Sequence, residues 1–349
     1  MPFTVEQIRR GGISQLDHWL KGEAFDQVNP ERPFLKWLMA NKRVLPAGNT
    51  GTGVPLHITN DSNAQNYFGA DRVTYNERST LKDAHYMWAN KHDGFGIDED
   101  RLLANGIHLT DDSTVMPTKS EGLQIVNLFS EQMRSLKEGL EDSLEREFLL
   151  DGSQSPDAVA GLDALVAVNP ATGIVGGIDA GTNTFWRSNV SLGVLSTTGV
   201  LLAEMEKVLR ATTLYSKSRP DVIFMGGKAY DAYMKEVRTN HELTINVGPN
   251  GAGNLDGGTS SLSFKGIPII WVPTLDILEA ETGPNAEPYD KRIYMLNSKS
   301  LFMSPLEGEW MRKRNPDRMY DQYVHYFGIT CKYKFITTQR NAHALITID

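Results

Sequence analysis

Residues 175–189 read Val-Gly-Gly-Ile-Asp-Ala-Gly-Thr-Asn-Thr-Phe-Trp-Arg-Ser-Asn, and they are the most informative stretch of the chain. A glycine-rich turn is followed by the adjacent aromatic residues Phe185 and Trp186, and no residue in the stretch is built for catalysis. Two interpretations of Trp186 and Arg187 are open. Either the tryptophan packs in the core beside a surface ion pair of the arginine, or both residues stack against a neighbouring subunit.

Length and composition indicate a soluble folded protein. The chain has 349 residues, of which 40% are hydrophobic and 22% are charged, enough for one large domain or two. Its formal net charge is −8, and no basic stripe typical of a nucleic-acid reader is seen. No run of residues approaches the roughly 20 apolar residues of a membrane span. The first residues lack the pattern of a signal peptide, so we expect synthesis in the cytosol.

The single cysteine, Cys331, is predicted to be a small buried hydrophobic residue. It cannot form a disulfide within the chain, which fits a reducing compartment.

A long helix is predicted over residues 118–150, because apolar residues recur there at steps of three or four. The apolar side consists of Ile125, Phe129, Met133, Leu136, Leu140, Leu144 and Phe148. The other side is charged and includes Glu141, Asp142, Glu145 and Arg146. At 1.5 Å per residue, such a helix is roughly 45 Å long. A shorter helix is predicted over residues 33–41.

Residues 48–82 have too little apolar mass to make a core of their own. Val54 and Leu56, and later Val73 and Tyr75, alternate with polar neighbours, as two arms of an extended hairpin would. Such a long loop is usually functional or disordered, and its strands need partners from outside.

The second half of the chain alternates helices with strands, which indicates a mixed α/β domain. The pattern predicts helices over residues 191–213 and 228–237 and strands over 220–225, 264–272 and 292–296. At the end, Phe327, Ile329, Cys331, Tyr333 and Phe335 alternate with Gly328, Thr330, Lys332 and Lys334. We expect a strand with one buried and one wet face, which forms a β-hairpin with residues 344–348.

Motifs for catalysis, cofactors and metals are absent or incomplete, so we predict no catalytic, cofactor-binding or metal site and no enzyme. The glycine run 248–253 lacks the Lys-Ser/Thr of a phosphate-binding loop, and the run 48–53 opens into a strand. The histidines show no metal-ligand spacing. The acidic residues near His85 and His92 fit a solvated strand end better than a ligand set.

The order of elements resembles that of major capsid proteins of tailed bacteriophages with the Hong Kong 97-like fold. The resemblance rests on the stretch 175–189, on the predicted long helix, on the extended loop, and on residues 220–231, Pro-Asp-Val-Ile-Phe-Met-Gly-Gly-Lys-Ala-Tyr-Asp. It implies an α+β fold in five parts: an N-terminal arm (1–43), an extended E-loop hairpin (44–88), a P-domain with a long spine helix (89–155), a mixed α/β A-domain (156–322), and returning P-domain strands (323–349).

The function that this resemblance implies is self-assembly into the icosahedral shell that encloses the DNA genome of a tailed phage. The implied partners are other copies in hexamers and pentamers, portal and separate scaffolding proteins, DNA by non-specific proximity, and, as an optional partner, a decoration protein; no membrane is involved. The expected location is the virion capsid, assembled in the host bacterial cytoplasm. Residues expected at contacts between subunits are Val54, Leu56, Val73, Tyr75, Lys82, Trp186 and Arg187.

Some relatives join subunits through Lys–Asn isopeptide bonds, and Lys82 with Asn341 is a pair to consider, although isolated Lys and Asn residues are usually surface residues. Two other functions stay open: an encapsulin-like nanocompartment shell with the same fold, and a cytosolic α/β enzyme.

Overall fold

The computed structural model describes residues 30–46, 51–59, 62–98, 100, 119–196, 199–216, 218–239, 262–282, 288–314 and 323–349, with the backbone alone for residues 52, 119–131, 239 and 282. Most of the predicted arm and all of the glycine run 248–253 lie outside these residues. The helices are α1 (Pro33–Ala40), α2 (Lys119–Leu149), α3 (Leu162–Leu165), α4 (Val200–Leu214), α5 (Gly227–Thr239) and α6 (Pro273–Thr282).

The strands are β1 (Gly51–His57), β2 (Leu81–Met87), β3 (Ala89–Asp98), β4 (Ile174–Val175), β5 (Ile178–Asp179), β6 (Asn189–Val194), β7 (Val222–Met225), β8 (Ser263–Phe264), β9 (Ile267–Trp271), β10 (Arg292–Leu296), β11 (Leu301–Pro305), β12 (Arg312–Arg314), β13 (Val324–Thr337) and β14 (Ala344–Ile348). Short 3₁₀ turns occupy Thr184–Trp186, Tyr289–Lys291 and Arg340–Ala342.

The predicted long helix is confirmed as α2, which has 31 residues. Its predicted apolar side faces the core wherever side chains are described: Met133 is partly buried, Leu136 is 8% exposed, and Leu140, Leu144 and Phe148 are at most 1% exposed. The charged side carries pairs one turn apart, such as Arg134–Glu138 at 3.3 Å. The prediction was wrong for Glu145, which is fully buried because α1 and α6 cover it.

A four-stranded antiparallel sheet packs on α2. Its longest strand, β13, pairs along one edge with β3 and along the other with β11 and β12. The ring of Phe148 on α2 lies 5.2 Å from the ring of Tyr333 and 5.3 Å from that of Phe335. Aromatic burial of this kind contributes more than its area alone, so it fixes the helix against the sheet.

A six-stranded mixed sheet, in the order β6-β14-β10-β7-β9-β8, forms the second body of structure. Both faces of its central strands are buried. One face, including Ile223 and Ile346, packs on α4 and α5, and the other, including Phe224 and Tyr294, belongs to the core that contains α1 and α2. The predicted strands at 220–225 and 292–296 are confirmed, and their uninterrupted apolar runs follow from this two-sided burial.

The predicted C-terminal hairpin is wrong. β13 and β14 follow each other in the chain but belong to different sheets, β13 beside β3 and β14 between β6 and β10. The wet face predicted for β13 is also incomplete, since Lys334 is fully buried with its ammonium 4.0 Å from the centroid of the Trp88 ring. Contact with an aromatic face compensates part of the cost of burying that cation.

The helix predicted over residues 191–213 begins later than expected. The first part is strand β6, which pairs in parallel with β14, and α4 begins only at Val200. Gly193 and Gly199 have φ of 62° and 85°, a conformation that interrupts a right-handed helix. Tertiary pairing with β14 therefore overrides the helical periodicity. The strand predicted over 264–272 is likewise two strands, β8 and β9, joined by a tight turn.

Candidate subunit interface: a two-stranded ribbon and its anchor

Strands β1 and β2 form a two-stranded ribbon. In the sequence, the ribbon lies between α1 and β3, the first strand of the four-stranded sheet. Strands β1 and β2 pair antiparallel from Gly51↔Met87 to His57↔Leu81, and residues 62–80 connect them without strand structure. The prediction placed the second arm of the hairpin at Val73 and Tyr75, which is wrong, because the pairing partner is β2. The apolar alternation of β1 was read correctly: Leu56 is buried, and Val54 packs against the main core.

The connecting segment 62–80 exposes large apolar side chains. Phe68 is 89% exposed, Tyr75 is 92% exposed, and Tyr67 and Val73 are also exposed. The hydrogen bonds within this segment join residues close in the sequence, such as the bond from the amide of Phe68 to Asp71 Oδ2 at 3.0 Å. Apolar groups concentrated on a segment with so little packing of its own are typical of a contact surface for another molecule.

The base of the ribbon is anchored by the glycine pair of the 175–189 stretch. Gly176 and Gly177 turn the short β4–β5 hairpin with φ of 59° and 75°. The amide of His85 on β2 donates to the carbonyl of Gly176 at 2.9 Å. A Cβ at position 176 would lie 3.0 Å from Cβ of Ala84, so the close approach of the turn to β2 requires glycine.

Trp186 and Arg187 hold the same hairpin from within the chain. Trp186 is 2% exposed and its indole Nε1 donates to the carbonyl of Val175 at 3.0 Å. Arg187 donates to the carbonyls of Ala180 and Gly181, both at 2.8 Å. The core interpretation of Trp186 is therefore confirmed, while the expected ion pair of Arg187 is replaced by hydrogen bonds to backbone carbonyls.

A buried arginine, which sequence reasoning missed, joins this anchor to the end of β13. Arg340 is 1% exposed, and its guanidinium donates to the carbonyls of Ala164, Leu165 and Trp186 at 2.8–3.2 Å. Burial lowers the pKa of Arg340 to about 10. No local pattern identifies such a residue, since its partners lie more than 150 positions away in the chain.

Tyr86 connects β2 to the last residue of β13, because its hydroxyl donates to the carbonyl of Thr337 at 2.7 Å. Burial raises the pKa of this hydroxyl well above its usual range. The ribbon base, the glycine turn and the end of β13 are thus tied together by hydrogen bonds in a mainly buried setting. A rigid anchor of this kind sets the direction in which the exposed segment 62–80 leaves the body.

The structure divides the residues expected at subunit contacts. Val73 and Tyr75 are exposed on the segment 62–80 and stay candidates. Leu56 and Trp186 are buried within the chain, which leaves their side chains little surface for a neighbouring subunit. Lys82 is exposed, and its Nζ donates to Oδ1 of Asn183 at 3.1 Å. Sequence reasoning missed Tyr67 and Phe68 as further exposed candidates on this segment, although two adjacent aromatic residues in a polar segment were a signal.

The helix terminus that best resembles a phosphate site is already occupied. The Gly-Gly-Lys sequence after β7 opens α5, which could present free amides to an anion. The amide of Gly227 instead donates to Asp276 Oδ1 at 2.7 Å, and Lys228 pairs with Asp290 at 2.7 Å. Among the residues that the structure describes, no group of three His, Cys, Asp or Glu side chains is arranged to hold a metal.

Comparisons with solved structures identify the fold. The capsid asymmetric unit of cyanophage A-1(L) matches with a TM-score of 0.66 at 15% identity, over 95% of this chain and 97% of that chain. The capsid of Myoviridae phage XM1 matches with a TM-score of 0.56 at 13% identity, over 95% and 98%. The capsid of a native GTA particle matches with a TM-score of 0.56 at 12% identity, over 94% of each chain.

No protein-family model matches the sequence. No curated protein matches it either. The structural likeness alone is sufficient for the fold: this chain has an α+β fold of the class found in viral capsid shells. In particular, it is the fold of the phage capsid structures named above, over nearly its whole length. Within the described residues, no helix is long and apolar enough to cross a membrane.

Proposed function

We propose that this chain is a major capsid protein that self-assembles into the icosahedral shell around the DNA of a tailed phage. The observation that carries the proposal is the match to the cyanophage A-1(L) capsid over 95% of this chain and 97% of that chain. Agreement over nearly the whole length supports the shell fold more strongly than a shared α/β core alone would. Nothing in the comparisons favours the encapsulin-like shell or the α/β enzyme.

The proposed working parts follow the division made from the sequence. They are an arm (1–43), an E-loop (44–88), a P-domain with its spine helix (89–155), an A-domain (156–322) and returning strands (323–349). The last part needs one adjustment in this scheme, since β14 adds to the sheet that also contains β7, β9 and β10. The chain end would then tie the P-domain and the A-domain together.

The ribbon is the element through which we propose that subunits join. Its base is fixed by the anchor at Gly176, and its segment 62–80 carries exposed Tyr67, Phe68, Val73 and Tyr75. Burying these side chains on a neighbouring copy would contribute roughly 25 cal/mol for each Å² of apolar surface. Contacts of this kind would repeat between neighbouring subunits around each hexamer or pentamer. The stability of the shell would then depend on all of its subunits together.

The remaining partners follow from the proposed role. A shell filled by a genome needs a portal, and scaffolding, where the shell requires it, would come from a separate protein. DNA would be near the inner wall by non-specific proximity, and a decoration protein could bind the outside. The particle would assemble in the cytoplasm of the host bacterium and end as the virion capsid.

The test is expression of the full chain and inspection by negative-stain electron microscopy, where closed shells are expected. A variant with Tyr67, Phe68, Val73 and Tyr75 changed to serine should keep its far-ultraviolet circular dichroism but yield only monomers or small oligomers. Intact shells from that variant would contradict the role of the ribbon. A compact monomer of wild-type chain under all assembly conditions would contradict the proposed function itself.

A matched control replaces Leu214 and Tyr215, which are 71% and 74% exposed but lie at the end of α4. This double serine variant should still form shells. If it lost them equally, the effect would reflect the loss of any exposed apolar side chain, and the ribbon would have no special part.

A further inference from the structure

Glu145 is a fully buried carboxylate at the place where three helices meet. It projects from α2 and is 0% exposed. Its Oε2 accepts a hydrogen bond from the amide of Leu35 on α1 at 3.4 Å, and its Oε1 accepts one from the hydroxyl of Thr274 on α6 at 3.0 Å. One side chain on α2 thus contacts both α1 and α6.

Both contacts are made in the first turn of a helix. Leu35 is the third residue of α1, whose N-cap residue Arg32 makes no capping hydrogen bond with its side chain. Thr274 is the second residue of α6. Amides in the first turn of a helix are unsatisfied within the helix and favour a negative charge. Glu145 therefore caps α1 from outside, although the burial of a carboxylate is costly when it is ionised.

The charged groups around the carboxylate offset only part of the cost of its burial. From the start of α1, Arg32 faces it, but the guanidinium also lies 3.6 Å from Glu141 and 3.8 Å from Asp142. Asp142 on α2 adds a like charge, and Arg146 is engaged by Asp142 and by Glu281 of α6. Burial is the largest effect and raises the pKa of Glu145 to about 7.

We propose that Glu145 is a proton-sensitive latch that holds α1 against α2 and α6. With its carboxyl group protonated, Glu145 is neutral and α1 stays docked. When the carboxyl group is ionised, the buried charge gains by exposure to water, so the α1 helix detaches more readily. The inference rests on the described contacts of this one chain and does not depend on shell formation.

The apolar contacts of α1 hold the helix in place at every pH. The effect of pH on the docking of α1 should therefore be modest and measurable. Phe34 and Leu38 are fully buried, and the ring of Phe34 meets that of Phe224 edge-on at 5.3 Å. These contacts do not titrate, so they set a constant background. The carboxyl group has an ordinary pKa when α1 is open and a pKa near 7 when α1 is docked. The equilibrium constant for opening should therefore be about tenfold larger at about pH 8.5 than at about pH 6.

The sign of the change is set by which state binds the proton. The docked state holds the proton up to about pH 7, while the opened state releases it at the ordinary pKa of a glutamate, about 4.3. The equilibrium constant for opening therefore increases as the pH rises from about 4.3 to about 7, and it levels off at higher pH.

Hydrogen–deuterium exchange of the full, unassembled chain tests the latch. After correction for intrinsic exchange, the amides of residues 35–40 should lose protection about tenfold between about pH 6 and about pH 8.5. In Glu145→Gln, which keeps the shape of the side chain but cannot ionise, protection of this peptide should not change with pH. Circular dichroism confirms that each variant is folded.

The matched control is Glu138→Gln on the same helix, whose carboxylate pairs with Arg134 on the partly exposed side. It should show the same pH dependence as the wild type. Wild-type protection that does not change across this pH range would overturn the proposal. So would an unchanged pH dependence in Glu145→Gln, because another group would then be responsible.

Discussion

The carbonyl of Gly176 accepts a hydrogen bond from the amide of His85 at 2.9 Å, which joins a turn in the middle of the chain to the base of the ribbon. This contact is possible because Gly176 has no side chain at the point where its backbone meets Ala84 and Tyr86. The same turn is held from behind by Trp186, and Trp186 by Arg340. The direction of the proposed assembly arm is therefore set by the body of the subunit.

Gly176→Ala should destabilise the fold by about 1–3 kcal/mol, because a positive φ and a crowded Cβ are both unfavourable there. The added Cβ would lie 3.0 Å from Ala84 Cβ. Urea unfolding measures the loss. Gly177→Ala is the control, since its φ is also positive but nothing lies within 4 Å of the added Cβ. It should lose only the conformational part, roughly 1–2 kcal/mol. Equal losses in the two variants would mean that the ribbon base does not press on the turn.

Leu140→Ala should lower the free energy of unfolding by about 2–5 kcal/mol, because it leaves a cavity between α2 and the main core. Leu140 is 1% exposed at the centre of the apolar stripe. Lys137→Ala, with a side chain 63% exposed on the same helix, should change stability by less than about 0.5 kcal/mol. Denaturant unfolding compares the two, and a loss for Leu140→Ala as small as for Lys137→Ala would show that the helix is not packed as described.

Acid should destabilise the protein through His343. This side chain is fully buried, and burial lowers its pKa to about 3, with the nearby Arg340 adding to the effect. The unfolded chain binds a proton below its ordinary pKa of about 6.5, whereas the folded state resists protonation until about pH 3. Stability is therefore complete above about pH 6.5 and falls as the pH is lowered, by about 2–3 kcal/mol at about pH 4.5 from this residue.

His343→Gln isolates that contribution. The glutamine cannot take up a proton, so the difference in stability between variant and wild type should shift by the same amount between about pH 7 and about pH 4.5. Urea unfolding at the two pH values gives the comparison. A difference that stays constant with pH would rule out His343 as the acid-sensitive group.

Reducing agents should leave the protein unchanged. Cys331 is 1% exposed, its Sγ lies 3.6 Å from the sulfur of Met311, and burial raises the pKa of the thiol. A buried, protonated thiol is a poor nucleophile. Dithiothreitol should therefore alter neither the melting temperature nor the integrity of particles, and maleimide should label Cys331 only after unfolding. Particles that dissociate in dithiothreitol would reveal a disulfide between subunits.

The sequence by itself determined the features that depend on neighbours in the chain. The apolar residues from Met133 to Phe148 lie on one side of α2, because residues three and four positions apart are neighbours on a helix surface. The run at Val222–Met225 is a strand with both faces buried, and its composition already indicates that. The burial of Cys331 and of Trp186 was also predicted, and the order of such elements was sufficient to suggest the capsid fold.

Only the tertiary structure decided which strands pair and which polar groups are covered. β2, rather than the segment near Tyr75, pairs with β1, and β14 leaves its predicted partner β13 to lie beside β6. Glu145 and Arg340 look like surface residues in the sequence, yet both are buried by elements more than 100 positions away. Strand pairing and the burial of charge depend on contacts between distant residues, which local periodicity does not contain.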